Sequence, residues 1–224
     1  MPKLKIEMVH DVVCSWCPIG YQNMKQAAEL LPGNTDIEWR FLPFQLNPEM
    51  PPEGAEIEEH LRQRYGFSAE KQKTYRANLL KLADRAGLIY DFSKRKKYWN
   101  TAAAHKLIHW AEGQGKHQEM HEALISYYFT QGKDTGDQDQ LLRLVEELGL
   151  DGQDAADSFK SVESQKQLDE KYVRAREIVT GGVPAFLIND QYLIEGSNTV
   201  TFFQHELAKI AGHENENTAQ YRDF

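Results

Sequence analysis

Residues 3–13 first alternate apolar with polar and then run apolar through Ile6, Met8, Val9, Val12 and Val13. That pattern predicts a strand buried near its end. From Ile19 the period becomes helical: Ile19, Met24, Ala27, Ala28 and Leu31 share one face, and Pro32-Gly33 closes the run. Residues 37–44 read as a second strand, stopped by Pro43. Strand, helix and strand make a βαβ unit, whose crossover is almost always right-handed.

From residue 47 to residue 162 the period stays helical. Pro51-Pro52-Glu53-Gly54 opens this region as a linker. Ser68 is placed to cap a helix over 70–86 that Gly87 closes, and Asn100 to cap one over 101–112. Residues 117–130 form a third. Asp137 caps a fourth, with Gln140 in capping-box position and Gly149 at its end. A helix over 164–179 follows. Gly181-Gly182-Val183-Pro184 then breaks the period, and strands over 185–188 and 192–195 flank the turn dipeptide Asn189-Asp190. A last helix over 199–211 turns Phe202, Phe203, Leu207 and Ile210 inward. The expectation is an α/β chain with an inserted all-helical subdomain. Residues 1–46 and 163–212 form one discontinuous domain, 47–162 the helical insertion, and 213–224 a polar tail.

The 224 residues carry 34 acidic and 26 basic side chains, a net charge of -8. That sign argues against nucleic acid as a partner, because tracking phosphates needs clustered Lys and Arg. The basic block Lys94-Arg95-Lys96-Lys97 reads as a solvated turn between helices. No apolar run suits a signal peptide or reaches the roughly 18 residues of a membrane span. The expected location is therefore cytoplasmic, where a permanent disulfide staple is unusual.

Both cysteines lie in Asp11-Val12-Val13-Cys14-Ser15-Trp16-Cys17-Pro18-Ile19-Gly20. A Cys-x-x-Cys beside a βαβ pattern reads as a thioredoxin-type redox motif. Cys14 at a helix start would have its thiolate favoured by free amide N–H groups and the positive end of the helix dipole. Cys17, one turn inward, would resolve the mixed disulfide. Pro18 denies the Cys14 carbonyl an N–H partner, so a distorted first turn is expected. Zinc fits poorly: there is no second cysteine pair, and His10 lies on the incoming strand. Asp11, where the strand runs into the site, is a candidate acceptor for the proton of Cys17. Trp16 offers an apolar docking face beside the thiol, while Trp39, Trp99 and Trp110 read as core. Pro184, after Gly-Gly and before a buried strand, is a candidate cis bond that would present the Val183 backbone to a substrate peptide.

The cysteine segment, Pro43-Phe44-Gln45-Leu46-Asn47-Pro48, Asn100-Thr101-Ala102-Ala103-Ala104-His105 and Gly182-Val183-Pro184-Ala185-Phe186 together resemble the DsbA-like thioredoxin family, in its FrnE-like branch. The resemblance runs to about residue 212. It implies a thioredoxin-like fold with a helical insertion and a protein disulfide oxidoreductase/isomerase activity. Cys14 and Cys17 carry over as the redox pair and Pro184 as the cis-proline. The family's dipeptide often begins with proline, where this chain has Ser15. Glutathione-dependent relatives, the kappa-class transferases and 2-hydroxychromene-2-carboxylate isomerases, share the layout but typically put serine at the position of Cys14. In either reading Asn100 and His105 are candidates for the substrate groove, their bland alternatives being a helix cap and a core histidine. A third reading is a redox-sensing binding protein. The expected partners are protein thiols or disulfides, or glutathione as a redox co-substrate. No bound cofactor or metal is required, and the sequence leaves monomer or homodimer open.

Overall fold

The computed structural model describes residues 3–32 and 35–212, so Gly33 and the expected tail over 213–224 lie outside the described residues. Strand β1 (Lys3–His10) is central because both its edges are paired. It runs parallel to β2 (Asp36–Pro43), in register from Lys3 opposite Asp36 to His10 opposite Pro43. Its other edge pairs antiparallel with β5 (Ala185–Ile188), from Ile6 opposite Ile188 to Val9 opposite Ala185. Strand β6 (Tyr192–Glu195) completes a sheet of order β2-β1-β5-β6. The β5–β6 turn needs two consecutive residues with positive φ; Asn189 at +53° and Asp190 at +56° supply them. The Asn189 side chain also accepts from Lys5 N at 3.0 Å, tying the turn to β1.

Helix α1 (Cys17–Glu29) connects β1 to β2. The insertion then runs through β3 (Ala55–Glu56), α2 (Ile57–Tyr65), α3 (Ala69–Arg85), β4 (Lys97–Tyr98), α4 (Ala102–Gly113) and α5 (His117–Ile125). Helix α5 continues into a π-helical turn over Ser126–Thr130, followed by α6 (Gln138–Glu147) and α7 (Gly152–Lys160). Helix α8 (Val162–Ile178) returns the chain to the sheet, and α9 (Val200–Ile210) closes the described chain. Ser68 caps α3 by accepting from Lys71 N at 3.2 Å, and Asp137 caps α6 by accepting from Gln140 N at 3.1 Å. The reciprocal half of that capping box differs from expectation, because the Gln140 side chain donates to the Asp137 carboxylate instead. Helices α2 and α7 and the β3–β4 pair were not legible from periodicity. Helix α2 buries only Ile57 and Leu61, and α7 only Ala155, too few apolar positions to set a period. In α9, Phe203 and Leu207 are fully buried, but Phe202 is 43% exposed and Ile210 half-buried. Phe202 is one residue off the buried stripe, and so turned about 100° from it.

Alternate residues of β1 serve two layers. Leu4, Ile6 and Met8 join the main core with α1, while Val9 packs with Leu42, Ala175, Ile178 and Ala185 on the α8 side. The main core does not stop at the sheet domain; it runs on into α3, α4, α5 and α6 of the insertion. The seam is a cluster of rings. His10 of β1 lies edge-on to His105 of α4 at 5.2 Å and to His121 of α5 at 4.7 Å, and His121 stacks on Phe41 at 4.1 Å. At its rim the Tyr21 hydroxyl and Lys25 both donate to Glu122 at 2.7 Å, linking α1 to α5.

The seam makes stability depend on pH. Burial, and then the neighbouring histidines, push His10 well below its usual value and His121 down to about 3. In the unfolded chain both take up a proton near pH 6.5. Their contribution is therefore complete above about pH 6.5 and is lost as pH falls, by roughly 2 kcal/mol for His121 by about pH 5. Urea midpoints measured from neutral to about pH 5 should fall accordingly, and His121→Phe should flatten the slope. Parallel slopes for the two proteins would contradict the assignment.

Candidate active site

The cysteine segment leaves β1 through two turns before α1 begins. Cys14 N donates to Asp11 O at 3.0 Å and Cys17 N to Cys14 O at 3.2 Å. Helix α1 starts at Cys17, with Trp16 as its N-cap. Cys14 thus precedes the helix by one turn instead of opening it, a correction that weakens the expected dipole contribution. As expected, Pro18 offers the Cys14 carbonyl no N–H, and that carbonyl accepts from Cys17 N in a tighter turn; Pro18 itself sits in the first turn of α1, which is regular from there, with Gly20 N reaching Trp16 O at 2.9 Å.

Both thiols are free and buried, Cys14 5% exposed and Cys17 1%. Burial raises the Cys17 thiol well above its ordinary value, and the nearby Cys14 adds to the rise. The Asp11 backbone N–H pulls the other way, and the Asp11 carboxylate raises it again. Cys14 Sγ in turn lies 3.7 Å from Val183 O, in the loop whose Val183–Pro184 peptide is cis. Gly20 lets this loop come close: a Cβ there would meet Pro184 Cγ at 2.9 Å and Ser197 Cα at 3.3 Å.

Asp11 is 1% exposed. Its Oδ2 accepts from Leu46 N at 2.7 Å and its Oδ1 from Val13 N at 3.4 Å. His105 Nε2 lies 3.6 Å from Oδ1 and 3.1 Å from Phe44 O. A carbonyl only accepts, so Nε2 carries hydrogen and faces both oxygens. The structure thus places His105, 2% exposed, behind Asp11 and not along a groove. Asn100 is likewise committed to structure. Its Oδ1 accepts from Ala102 N at 2.9 Å at the start of α4, and its Nδ2 donates to Met50 O at 3.1 Å, tying down the segment after β2. Trp16 is half-buried and packs edge-on against Tyr75 of α3 at 6.1 Å. Trp39 and Trp110 are buried as expected for core, whereas Trp99 is half-buried.

Two residues near the thiols escaped sequence reasoning. The Tyr90 hydroxyl donates to Ser15 O at 2.9 Å. Burial raises Tyr90 well above the usual phenol range, Arg95 opposes that, and both cysteines add to it. It therefore remains a hydroxyl donor. Arg95, expected on a solvated turn, is 4% exposed and donates from Nη2 to Val13 O at 3.3 Å. Lys94 and Lys96 beside it are exposed as the charge run suggested. The aromatic residues Phe92, Tyr98, Tyr128 and Phe129 that enclose Arg95 were the available signal.

Among the described residues, no group of three or more His, Cys, Asp or Glu side chains is arranged to hold a metal ion. Nor is any described helix long and apolar enough to cross a membrane. A model of the DSBA-like thioredoxin domain matches residues 5–208. The chain is 25% identical over 190 residues to the protein YwbO of Bacillus subtilis (strain 168), covering 83% of this chain and 86% of that one. Its fold is similar to that of the probable DsbA oxidoreductase SCO1869 from Streptomyces coelicolor, with a TM-score of 0.87 at 23% identity, over 95% of this chain and 92% of that one. It is also similar to the cytosolic disulfide reductase DsbM from Pseudomonas aeruginosa with GSH, with a TM-score of 0.63 at 18% identity, over 92% and 98% of the two chains.

The close approach at Gly20 is testable. Gly20→Ala has to displace either the Pro184 ring or the Ser197 backbone, so it should destabilise the protein by about 1–3 kcal/mol. Urea unfolding measures this; an unchanged midpoint would show that the loop yields freely.

Proposed function

Because the chain belongs to the DSBA-like thioredoxin family, we propose that it is a thiol–disulfide oxidoreductase working through Cys14 and Cys17. The observation that carries this reading is the burial of two free thiols, Cys14 and Cys17, beside the buried Asp11, with Cys14 Sγ 3.7 Å from Val183 O of the cis loop. Motif resemblance supports the FrnE-like branch. A cytosolic location is in keeping with the similar fold of DsbM, a cytosolic disulfide reductase.

The Cys14 thiolate attacks one sulfur of a substrate disulfide. A mixed disulfide forms, and the other substrate sulfur leaves and takes up a proton. Cys17 then passes its proton to the Asp11 carboxylate and attacks Cys14 Sγ, releasing the second substrate thiol. Two electrons reduce the substrate and the protein gains one Cys14–Cys17 disulfide; the reverse sequence oxidises a dithiol. The high Cys17 value favours this order, because Cys17 stays protonated until Cys14 is engaged. Leu46 N holds Asp11 through Oδ2, and His105, bonded to Phe44 O, packs 3.6 Å from Oδ1. Val183 and the half-buried Trp16 flank Cys14, where an extended peptide or glutathione would dock.

Reduction of insulin by dithiothreitol tests the proposal. The wild type should catalyse it and Cys14→Ser should fall to background. Cys17→Ser should accumulate a mixed disulfide on Cys14. Asp11→Asn should slow turnover by about a hundredfold near neutral pH, with the gap narrowing in alkali as Cys17 ionises unaided. Full glutathione-dependent turnover by Cys17→Ser would point instead to the isomerase or transferase class. Catalytic silence in the wild type would leave a redox-sensing binding protein.

A further inference from the structure

Arg95 is a buried cation without a buried anion. Among the described residues it pairs with no carboxylate, and its guanidinium lies over the rings of Phe92, Tyr98, Tyr128 and Phe129 at 5.5, 5.4, 4.8 and 4.8 Å. Its Nε has no hydrogen-bond partner. Ring faces offset the cost of burying the cation but carry no net charge. The field of the guanidinium therefore favours any anion that forms nearby.

That anion has one evident origin. Arg95 donates to the carbonyl of Val13, directly before Cys14, and Tyr90 of the same loop donates to the carbonyl of Ser15, directly after it. The two carbonyls flanking Cys14 are thus pinned by a single buried segment. The segment is itself fixed, with Arg95 N donating to Asp91 O at 2.9 Å and Asp91 N to Phe129 O at 2.8 Å. Tyr75, Tyr90 and Tyr98 each lie within the field of both Arg95 and Cys14. Cys14 lies outside α1, one turn before the helix terminus.

We propose that Arg95 is the fixed counter-charge of the Cys14 thiolate, a positioning residue that holds the Cys14 loop and makes the dithiol form more stable relative to the disulfide. The proposal rests on the oxidoreductase reading above. Its effect is a specific one: Arg95 biases the pair toward oxidising its partners, in place of the charge that the Ser15-Trp16 dipeptide lacks.

The full chain is equilibrated with reduced and oxidised glutathione, quenched with acid, and its Cys14–Cys17 disulfide fraction measured. Arg95→Gln keeps a donor for Val13 O but removes the charge; it should shift the equilibrium toward the protein disulfide by about tenfold. Arg95→Lys keeps the charge and should stay near wild type. Tyr90→Phe, which unpins Ser15 O without altering charge, should shift it little. If Arg95→Gln does not fold, Arg95→Met serves in its place with the same expected shift. Equal shifts in the Lys and Gln variants, or none in either, would overturn the role of Arg95. A wild type that forms no intramolecular disulfide at any glutathione ratio would instead overturn the underlying reading.

Discussion

The site depends on one constraint, the burial of two free thiols where the segment after β1 turns into α1. Burial, with Cys14 nearby, makes the Cys17 proton hard to lose. The surrounding elements fix both cysteines in place. The first turn of α1 fixes Cys17, the cis loop sets Val183 O over Cys14, and Gly20 allows those two elements to touch. Asp11 follows directly on β1, and its charge adds to the rise at Cys17.

The insertion is part of the same machine. Its loop from Tyr90 to Arg95 reaches the carbonyls flanking Cys14, and its α4 brings His105 to Asp11. The weld between insertion and sheet is a set of buried histidine and aromatic rings, with His10 and His121 held well below their usual pKa. Rings pack tightly there at the price of tolerating no added proton. The arrangement therefore links the integrity of the site to pH through groups that take no part in thiol chemistry.

The βαβ start, the hairpin and the capped helices α3 and α6 were legible because each carries a local signature: alternation, a turn dipeptide, or a capping side chain. The cysteines were legible from spacing alone, and Asp11 from its place at the end of the first strand. Other features belong to the tertiary fold. Arg95 looked solvated because its neighbours Lys94 and Lys96 are; Phe92 and Tyr98 were the local signal, and the other two rings, Tyr128 and Phe129, arrive from a distant part of the chain. His105 and Asn100 looked like groove residues because a motif gives their order along the chain and not the direction they face. The helix boundary at Cys17 moved by one turn because the segment after β1 closes turns onto Asp11 O and Cys14 O before α1 begins.

The most direct test of the paired sulfurs is timed alkylation of the reduced native protein with iodoacetamide, followed by peptide mapping. The account predicts that label enters at Cys14 while Cys17 stays unmodified until the protein is denatured. Label entering first at Cys17, or at both sulfurs with equal rates, would contradict it.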